Sequence, residues 1–367
     1  MAKVLIGMSG GVDSSVAAAL LLEQGHECIG VYMNLWADPT VFDLEDQKKF
    51  PQNKCCSIES LMFARAICQK LGMPFYSINF EDPFKENVVE FFLDGFRKGE
   101  TPNPCVRCNK TIKFGALFKK MEELGCDYLA TGHYAHLIEG ENGQIELHRG
   151  KDASKDQTYF LYNLTQDKLR RLMFPLGIYD KIEVKELAKR FNLKELEKKR
   201  ESQGVCFYPE KTYFGFLERY LKPEQDYQKG KIMDADGNDL GEHTGLPFYT
   251  IGQRKGIGVG GPNGPYYVKQ MDSIKNALIV GNDAQLNSDS IALREANFLS
   301  GAAPDPAELL SVKVRSHGKL GQGRVSVLDG ERFLVTFTAP ERALMPGQSL
   351  TLYRGTQLVG GGIMEWA

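Results

Sequence analysis

The chain has 367 residues, 42% hydrophobic and 25% charged, with a formal net charge of −2; at roughly 150 residues per domain this is room for two or three domains with cores of their own. The balance excludes a polycation that holds nucleic acid by bulk charge, and eight cysteines are too sparse for a disulfide framework. No run approaches the ~18 uninterrupted apolar residues of a membrane span, and M-A-K-V-L-I-G leads straight into a strand pattern, so a cytoplasmic, membrane-free protein with reduced thiols is expected.

Strand and helix signals alternate along the first ~135 residues. Lys3–Met8 reads as a strand, Val16–Leu22 as a helix ending at Gly25, Cys28–Leu35 as a strand and Ser57–Leu71 as a helix. Phe75–Asn79 (strand), Pro83–Arg97 (helix), Thr111–Leu124 (helix) and Tyr128–Thr131 (strand) continue the series. Strands separated by helices of this length predict βαβ units and a parallel sheet. Asp167–Arg200 reads as helical and highly charged. Beyond about Gly204 short β runs sit among glycines (Pro247–Ile251, Tyr266–Met271, Ala277–Val280). From about Ser290 the pattern is nearly all β, with Ser311–Arg315, Gly323–Val327, Phe333–Phe337, Ser349–Tyr353 and Gly362–Glu365 spaced as in a small barrel. The predicted fold is thus α/β: a parallel-sheet nucleotide domain over 1–203, a β-rich connector over 204–287 and a C-terminal β-barrel over 288–367. Phe91, Phe92 and Phe96 stand at helical spacing and are assigned to the core. His26, His148, His243 and His317 are expected at the surface or in turns.

Charge is distributed less evenly than its sum. Between Arg97 and Lys120 seven Lys/Arg stand against one acid, and between Arg149 and Arg200 fourteen stand against eight. Each zone carries +6 and could meet a polyanion, although solvated helix faces explain such runs as well. Asp289–Ala367 sums to zero, eight basic against eight acidic.

Gly7-Met8-Ser9-Gly10-Gly11-Val12-Asp13-Ser14-Ser15 lies directly between the first strand and the first helix. Its glycines let backbone N–H groups fold round an anion, the helix start adds partial positive charge, and Ser9, Ser14 and Ser15 add hydroxyls. Asp13 is placed to help hold a metal ion on phosphates. Neither the Walker pattern nor the Rossmann G-x-G-x-x-G is present. S-G-G-V-D-S-S resembles the signature of the ATP-pyrophosphatases, which implies cleavage of ATP to AMP and pyrophosphate without naming the acceptor.

Cys105-Val106-Arg107-Cys108 opens another helical pattern amid Arg107, Lys110 and Lys113, where a helix start and neighbouring cations favour a thiolate at Cys108. Half of a zinc site is the competing reading, with Cys55-Cys56 poorly spaced to complete it. Cys206, in E-S-Q-G-V-C-F, reads alone as a packed small residue. His133 follows a strand at its carboxyl end, where α/β sheets place ligands.

Five motifs then occur in order: N-P-x-x-x-C-N-K, K-D-A-S-K-D-Q-T-Y-F-L, S-Q-G-V-C-F, Y-T-I-G-Q-R-K-G-I-G and M-P-G-Q. Together they resemble the tRNA 2-thiouridylase family from Met1 almost to the last residue. The resemblance implies an ATP-dependent sulfurtransferase that adenylates the C2 oxygen of the wobble uridine of tRNA and replaces it with sulfur from a protein persulfide. It implies Cys108 as nucleophile and Cys206 as persulfide carrier, which could end the cycle joined as a disulfide. Gly7, Met8, Ser9, Gly10, Gly11, Val12, Asp13, Ser14, Met33 and Gly132 would contact ATP, with Mg²⁺ on its phosphates. Asn103, Pro104 and Cys105 would meet the target uracil, and His133, Lys155, Asp156, Gln157, Arg315 and Gln348 the tRNA. The implied partners are the tRNA anticodon arm and a sulfur-relay protein; a monomer is expected, although the sequence itself leaves the oligomeric state open. Two positions depart from the family pattern. Many members carry Asp where this chain has Cys105, so no acid/base role is carried over there, and Arg315-Ser316 replaces the frequent Arg-Tyr.

Cys105, Cys108 and Cys206 could alternatively hold an iron–sulfur cluster with one open iron. A small-molecule acceptor, as in a GMP-synthetase-like enzyme, would need an ammonia source that the sequence does not display. That reading also leaves the Cys108/Cys206 pair and the barrel unexplained, and a third, an RNA- or metal-binding regulator that retains a nucleotide domain without catalysis, would release no AMP.

Overall fold

Lys3–Gly7 forms β1, and its Val4, Leu5 and Ile6 are all fully buried, as befits a strand covered on both faces of a parallel sheet. The computed structural model describes residues 1–41, 58–193, 204–210, 212–260 and 265–367. After β1 come α1 (Val12–Glu23), β2 (Glu27–Asn34), α2 (Ile58–Lys70) and β3 (Phe75–Asn79). Two helical stretches, Glu81–Arg97 and Pro104–Glu123, lead to β4 (Tyr128–Ala130). A hairpin of β5 (Ala135–Glu139) and β6 (Ile145–Arg149) precedes the short β7 (Leu172–Met173). The sheet runs β3-β2-β1-β4-β7 with every pairing parallel. Strand order therefore reverses between β1 and β4, and the crevice beyond the carboxyl ends of those two strands is where such sheets take ligands.

Both helical stretches change pitch midway. Lys85–Val89 and Asn109–Ala116 are π-helical, each between α-helical turns. The connector is a four-stranded sheet of β8 (Gly230–Met233), β9 (Asp239–His243), β10 (Tyr267–Asp272) and β11 (Ala277–Gly281), ordered β10-β11-β8-β9. The last unit comprises β12 (Asn287–Phe298), β13 (Leu310–Lys313), β14 (Gly321–Asp329), β15 (Arg332–Arg342), β16 (Ser349–Arg354) and β17 (Gln357–Glu365). These run antiparallel as β12-β15-β14-β13-β16-β17, and a β12–β17 pairing closes the barrel. One hydrophobic core joins the first unit to the barrel, since Tyr353 and Leu358 pack with residues of the α/β layer.

The α/β–connector–barrel order agrees with the sequence reading, and several elements depart from it. Asp167–Arg200 is not one helix: Gln166–Leu169 and Lys181–Arg190 are helical with β7 between them, and 194–200 lie outside the described residues. The break follows from Pro175 and Gly177, which interrupt helical hydrogen bonding. Pro247–Ile251 is no strand; Leu246–Phe248 is a 3₁₀ turn, because Pro247 lacks a ladder donor and Gly245 sits at φ +147°. The β5–β6 hairpin was not foreseen, and it extends the barrel sheet through the pairing of His148 with Gln357. His243 is buried rather than at the surface, 1% exposed, with its Nε2 3.1 Å from the Asn276 carbonyl oxygen. Phe92 and Phe96 are core as expected, whereas Phe91 is half-buried beneath the Arg107 guanidinium.

Candidate active site

The loop after β1 carries the phosphate-loop residues across the crevice mouth. Gly10 sits at φ +70°, and a Cβ there would overlap the Ser60 carbonyl oxygen, so only glycine fits. Ser14 Oγ receives the Ser9 N–H at 3.1 Å, and the Ser15 hydroxyl donates to Gly11 O at 2.8 Å, fixing the loop on the first turn of α1. Gly11 is the N-cap of α1 and supplies no side-chain cap, so the helix start is directed to the crevice rather than to a capping group. Gly132, after β4, lies against this turn; a Cβ there would come within 2.8 Å of Ser14 N. The Asp13 carboxylate accepts from Tyr134 Oη at 2.8 Å and from Lys181 Nζ at 2.7 Å, both through Oδ1.

Opposite the loop, Asn103 caps the next helix by accepting from Val106 N at 3.2 Å, with Pro104 at the first helical position. Cys105 falls in that first turn and is exposed, while Cys108 lies one turn deeper and is buried. The helix-start field therefore acts first on Cys105, not on Cys108 as the C-x-x-C pattern alone suggests. The barrel holds this helix start in place. Gln348 Nε2 donates to the Thr101 and Pro102 carbonyl oxygens at 3.0 and 3.4 Å, and Thr101 N donates to Pro346 O at 2.8 Å. Arg294 grips Glu100 with two bonds of 3.0 and 2.7 Å, and Lys110 meets Glu295 at 3.0 Å.

A third segment brings Cys206. Its neighbour Phe207 is wholly buried, with ring centroids 5.3 Å from Phe92, 5.2 Å from Phe216 and 6.0 Å from Phe84. This aromatic anchor fixes the backbone beside the half-exposed Cys206.

The three segments enclose one cleft of about 370 Å³. Its walls include Gly7, Met8, Ser9, Asp13, Ser14, Met33, Pro104, Cys105, Cys108, Gly132, His133, Gln157 and Cys206, so most of the residues expected at the site are together. Gly10, Gly11 and Val12 belong to the same loop. Asn103 and Gln348 lie at the barrel contact, 3.4 Å apart between Nδ2 and Oε1. Lys155, Asp156 and Arg315 do not line the cleft. Asp156 is buried against Arg149 at 3.1 Å, and the Arg315 guanidinium donates to the carbonyl oxygens of Arg342 and Ala343. His133 is 8% exposed, with Nδ1 2.6 Å from Thr131 Oγ1; burial, and then the nearby Lys113 charge, push its pKa well below the ordinary value, so the imidazole is neutral. Tyr134 and Lys181, the partners of Asp13, escaped the sequence reading because Lys181 stands 168 residues away and no local pattern marks it.

Among the described residues no group of three His, Cys, Asp or Glu side chains is arranged to hold a metal ion, so the cysteines as placed do not fit an iron–sulfur cluster. Cys55, Cys56, Ser202 and Gln203 lie outside the described residues. Among those described, no helix is long and apolar enough to cross a membrane.

A strand–loop–helix anion cradle at the reversal of a parallel sheet puts the first unit in the phosphate-loop class of α/β nucleotide folds. Three families match in succession: the tRNA methyl transferase HUP domain over 2–210, the tRNA methyl transferase PRC-barrel domain over 215–282 and the aminomethyltransferase beta-barrel domain over 288–364. The tRNA-specific 2-thiouridylase MnmA of Chloroflexus aurantiacus is 44% identical over 99% of this chain and 98% of its own length. That of Carboxydothermus hydrogenoformans is 43% identical, over 99% and 97%. The chain belongs to the tRNA-specific 2-thiouridylase family of sulfurtransferases. A 4-thiouridine synthetase solved with RNA and ATP is far less similar, with a TM-score of 0.34 and 19% identity over 59% of this chain and 49% of that one.

Proposed function

We propose that this protein converts the wobble uridine of tRNA to 2-thiouridine, using ATP to activate the C2 oxygen and two cysteines to deliver sulfur. The observation that carries this reading is the common cleft: the phosphate loop and Cys105, Cys108 and Cys206 line the same 370 Å³. A methyl-transfer reading, which the family descriptions could invite, leaves those thiols without a role. The working units are 1–203 for nucleotide and thiol chemistry, 204–287 as connector and 288–367 for grip on the anticodon arm.

In the first half-reaction uracil O2 attacks the α-phosphorus of ATP. The bond from that phosphorus to the bridging oxygen breaks, pyrophosphate leaves with the electron pair into the loop at Gly10 and Gly11, and the N3 proton is lost to solvent. Backbone N–H groups and the α1 start stabilise the charge that grows on the leaving group. The oxygen donors of Asp13, Ser9 and Ser14 suit Mg²⁺, which would be held by Asp13 and the nucleotide phosphates and would neutralise phosphate charge when bound.

In the second half-reaction Cys206 enters as a persulfide loaded by a sulfur-relay protein. Its terminal sulfur attacks C2 and AMP departs. Cys108 thiolate then attacks the Cys206 sulfur, which frees the thiocarbonyl and leaves a Cys108–Cys206 disulfide for a reductant to reopen. If Cys108 attacks first, hydrosulfide is released to C2 and the same disulfide remains. The wobble base must leave its stack to enter the cleft, and the basic zones at 97–120 and 149–200 supply salt-sensitive phosphate contacts. Asn103, Pro104 and Cys105 face the entering base, His133 and Gln157 line its path, and Lys155, Asp156, Arg315 and Gln348 shape the surrounding tRNA surface.

The test is a mercury-gel shift of unmodified tRNA incubated with protein, ATP, Mg²⁺ and a sulfide source. A retarded band that requires ATP and vanishes in Cys108→Ser is expected. AMP formation without retardation would move the search to another acceptor.

A further inference from the structure

We propose that Lys113 is a further catalytic residue, its ammonium carrying the negative charge of the nucleotide's α-phosphate during adenylyl transfer. The inference rests on the ATP reading above and adds a residue to it. Lys113 is the sole lysine or arginine among the described residues that line the cleft. The other ionisable wall groups cannot do this work. Asp13 is an acid engaged by Lys181, and His133 is neutral. On the adenylation reading the loop N–H groups serve the departing pyrophosphate, while the α-phosphorus bonds the oxygen of the base that the cysteines must reach, so a cation on the cysteine side of the cleft would meet the α-phosphate charge. Lys113 is half-buried and forms no ion pair among the described residues, so its charge is available to a ligand.

The backbone explains how this side chain reaches the cleft. Cys108 ends the α-helical turns, and Asn109–Ala116 continues as π-helix. In an α-helix successive residues are turned by ~100°, which would carry Lys113, five residues on, ~140° away from the Cys108 face. In a π-helix hydrogen bonds run from i to i+5, so the residue five on stacks nearly over the first, as the residue four on does in an α-helix. The wider pitch thus presents Lys113 and Cys108 to one cleft, and both line it. A compact ammonium with three donors can follow a phosphoryl oxygen as its charge grows and the bond to pyrophosphate breaks.

The test compares the rate of pyrophosphate release from ATP, with saturating unmodified tRNA, for the wild type, Lys113→Met, Lys113→Gln and Lys113→Arg. Loss of the charge is expected to lower kcat by roughly 10²–10³-fold in the Met and Gln variants, as for removal of one preorganised charge-stabilising donor, with partial recovery in Lys113→Arg. Melting temperature should follow the wild type, and any slowing of Cys108 alkylation by iodoacetamide across pH should be small beside the loss in kcat, which separates a phosphate role from support of the thiol or the fold. Wild-type kcat in Lys113→Met, or a change confined to Cys108 alkylation, would overturn the proposal. Absence of pyrophosphate release from the wild type itself would instead defeat the adenylation reading on which it rests.

Discussion

Phe207→Ala isolates the anchor that holds the sulfur carrier. The ring is fully buried and meets Phe84, Phe92, Tyr208 and Phe216 edge-on, at centroid separations of 5.2–6.0 Å. Truncating a buried phenylalanine to alanine costs about 3–5 kcal/mol, from lost transfer energy and the cavity left behind. For a unit of about 200 residues, at roughly 2–4 °C per kcal/mol, the first transition in a thermal melt should fall by about 6–20 °C. Phe207→Leu keeps most of the volume and should cost less than about 1.5 kcal/mol. Below the melting range the functional effect should be selective. Cys206 loses its fixed approach while the phosphate loop, held by Ser14, Ser15 and Gly132, keeps its own supports. Phe207→Ala should therefore slow thiolation far more than pyrophosphate release, with Phe207→Leu between it and the wild type. Differential scanning calorimetry and the two single-turnover rates give the answer. A melt shift under about 2 °C, or equal loss of both rates in folded protein, would refute the anchoring argument.

Other substitutions probe the remaining parts. Gly132→Ala drives a methyl against Ser14 N and the Asp13 backbone, an overpacking worth about 1–3 kcal/mol, so the thermal melt should fall and nucleotide affinity measured by calorimetric titration should drop by roughly tenfold. Arg294→Met removes the two-bonded partner of Glu100, a pair about one-quarter exposed, and should cost about 1–3 kcal/mol and raise KM for tRNA; unchanged kinetics would detach the barrel from the site. His133 is held neutral by burial and by the Lys113 charge, so the unfolded chain binds a proton more readily than the folded one. Its contribution to stability is present above the unfolded pKa of about 6.5 and is lost as pH falls below it. Chemical denaturation between pH 7.5 and 5 should show that decline, to which His136 and His243, also lowered by burial, add, and His133→Gln should make it shallower.

How much of this was readable from residues alone depended on whether the interaction is local. The phosphate loop declared itself because strand, glycines and helix start are contiguous, and the cleft forms where that reading placed it. The helix start at Asn103–Cys108 was equally local, through a side-chain cap and a proline at the first helical position. Convergence of Cys206 on the same cleft came only from the resemblance, because the packing of Phe207 against residues more than a hundred positions earlier leaves no nearby trace. The β5–β6 hairpin was missed for a related reason: its short, charged strands gain their partner from β17, over two hundred residues on. His243 was misassigned because its acceptor, the Asn276 carbonyl oxygen, lies on the turn leading to β11, two strands away in the sheet. The π-helical pitch of Asn109–Ala116 has no composition signal, so the turning of Lys113 into the cleft could not be read from spacing.

The most direct test of a single centre for activation and sulfur transfer is a single-turnover chase from protein carrying a radiolabelled persulfide on Cys206. With unmodified tRNA, ATP and Mg²⁺, the label should pass into 2-thiouridine in the nuclease digest, in proportion to AMP formed, while a Cys108–Cys206 disulfide appears in the protein. Label that stays on the protein, or reaches tRNA equally well without ATP, would contradict the account.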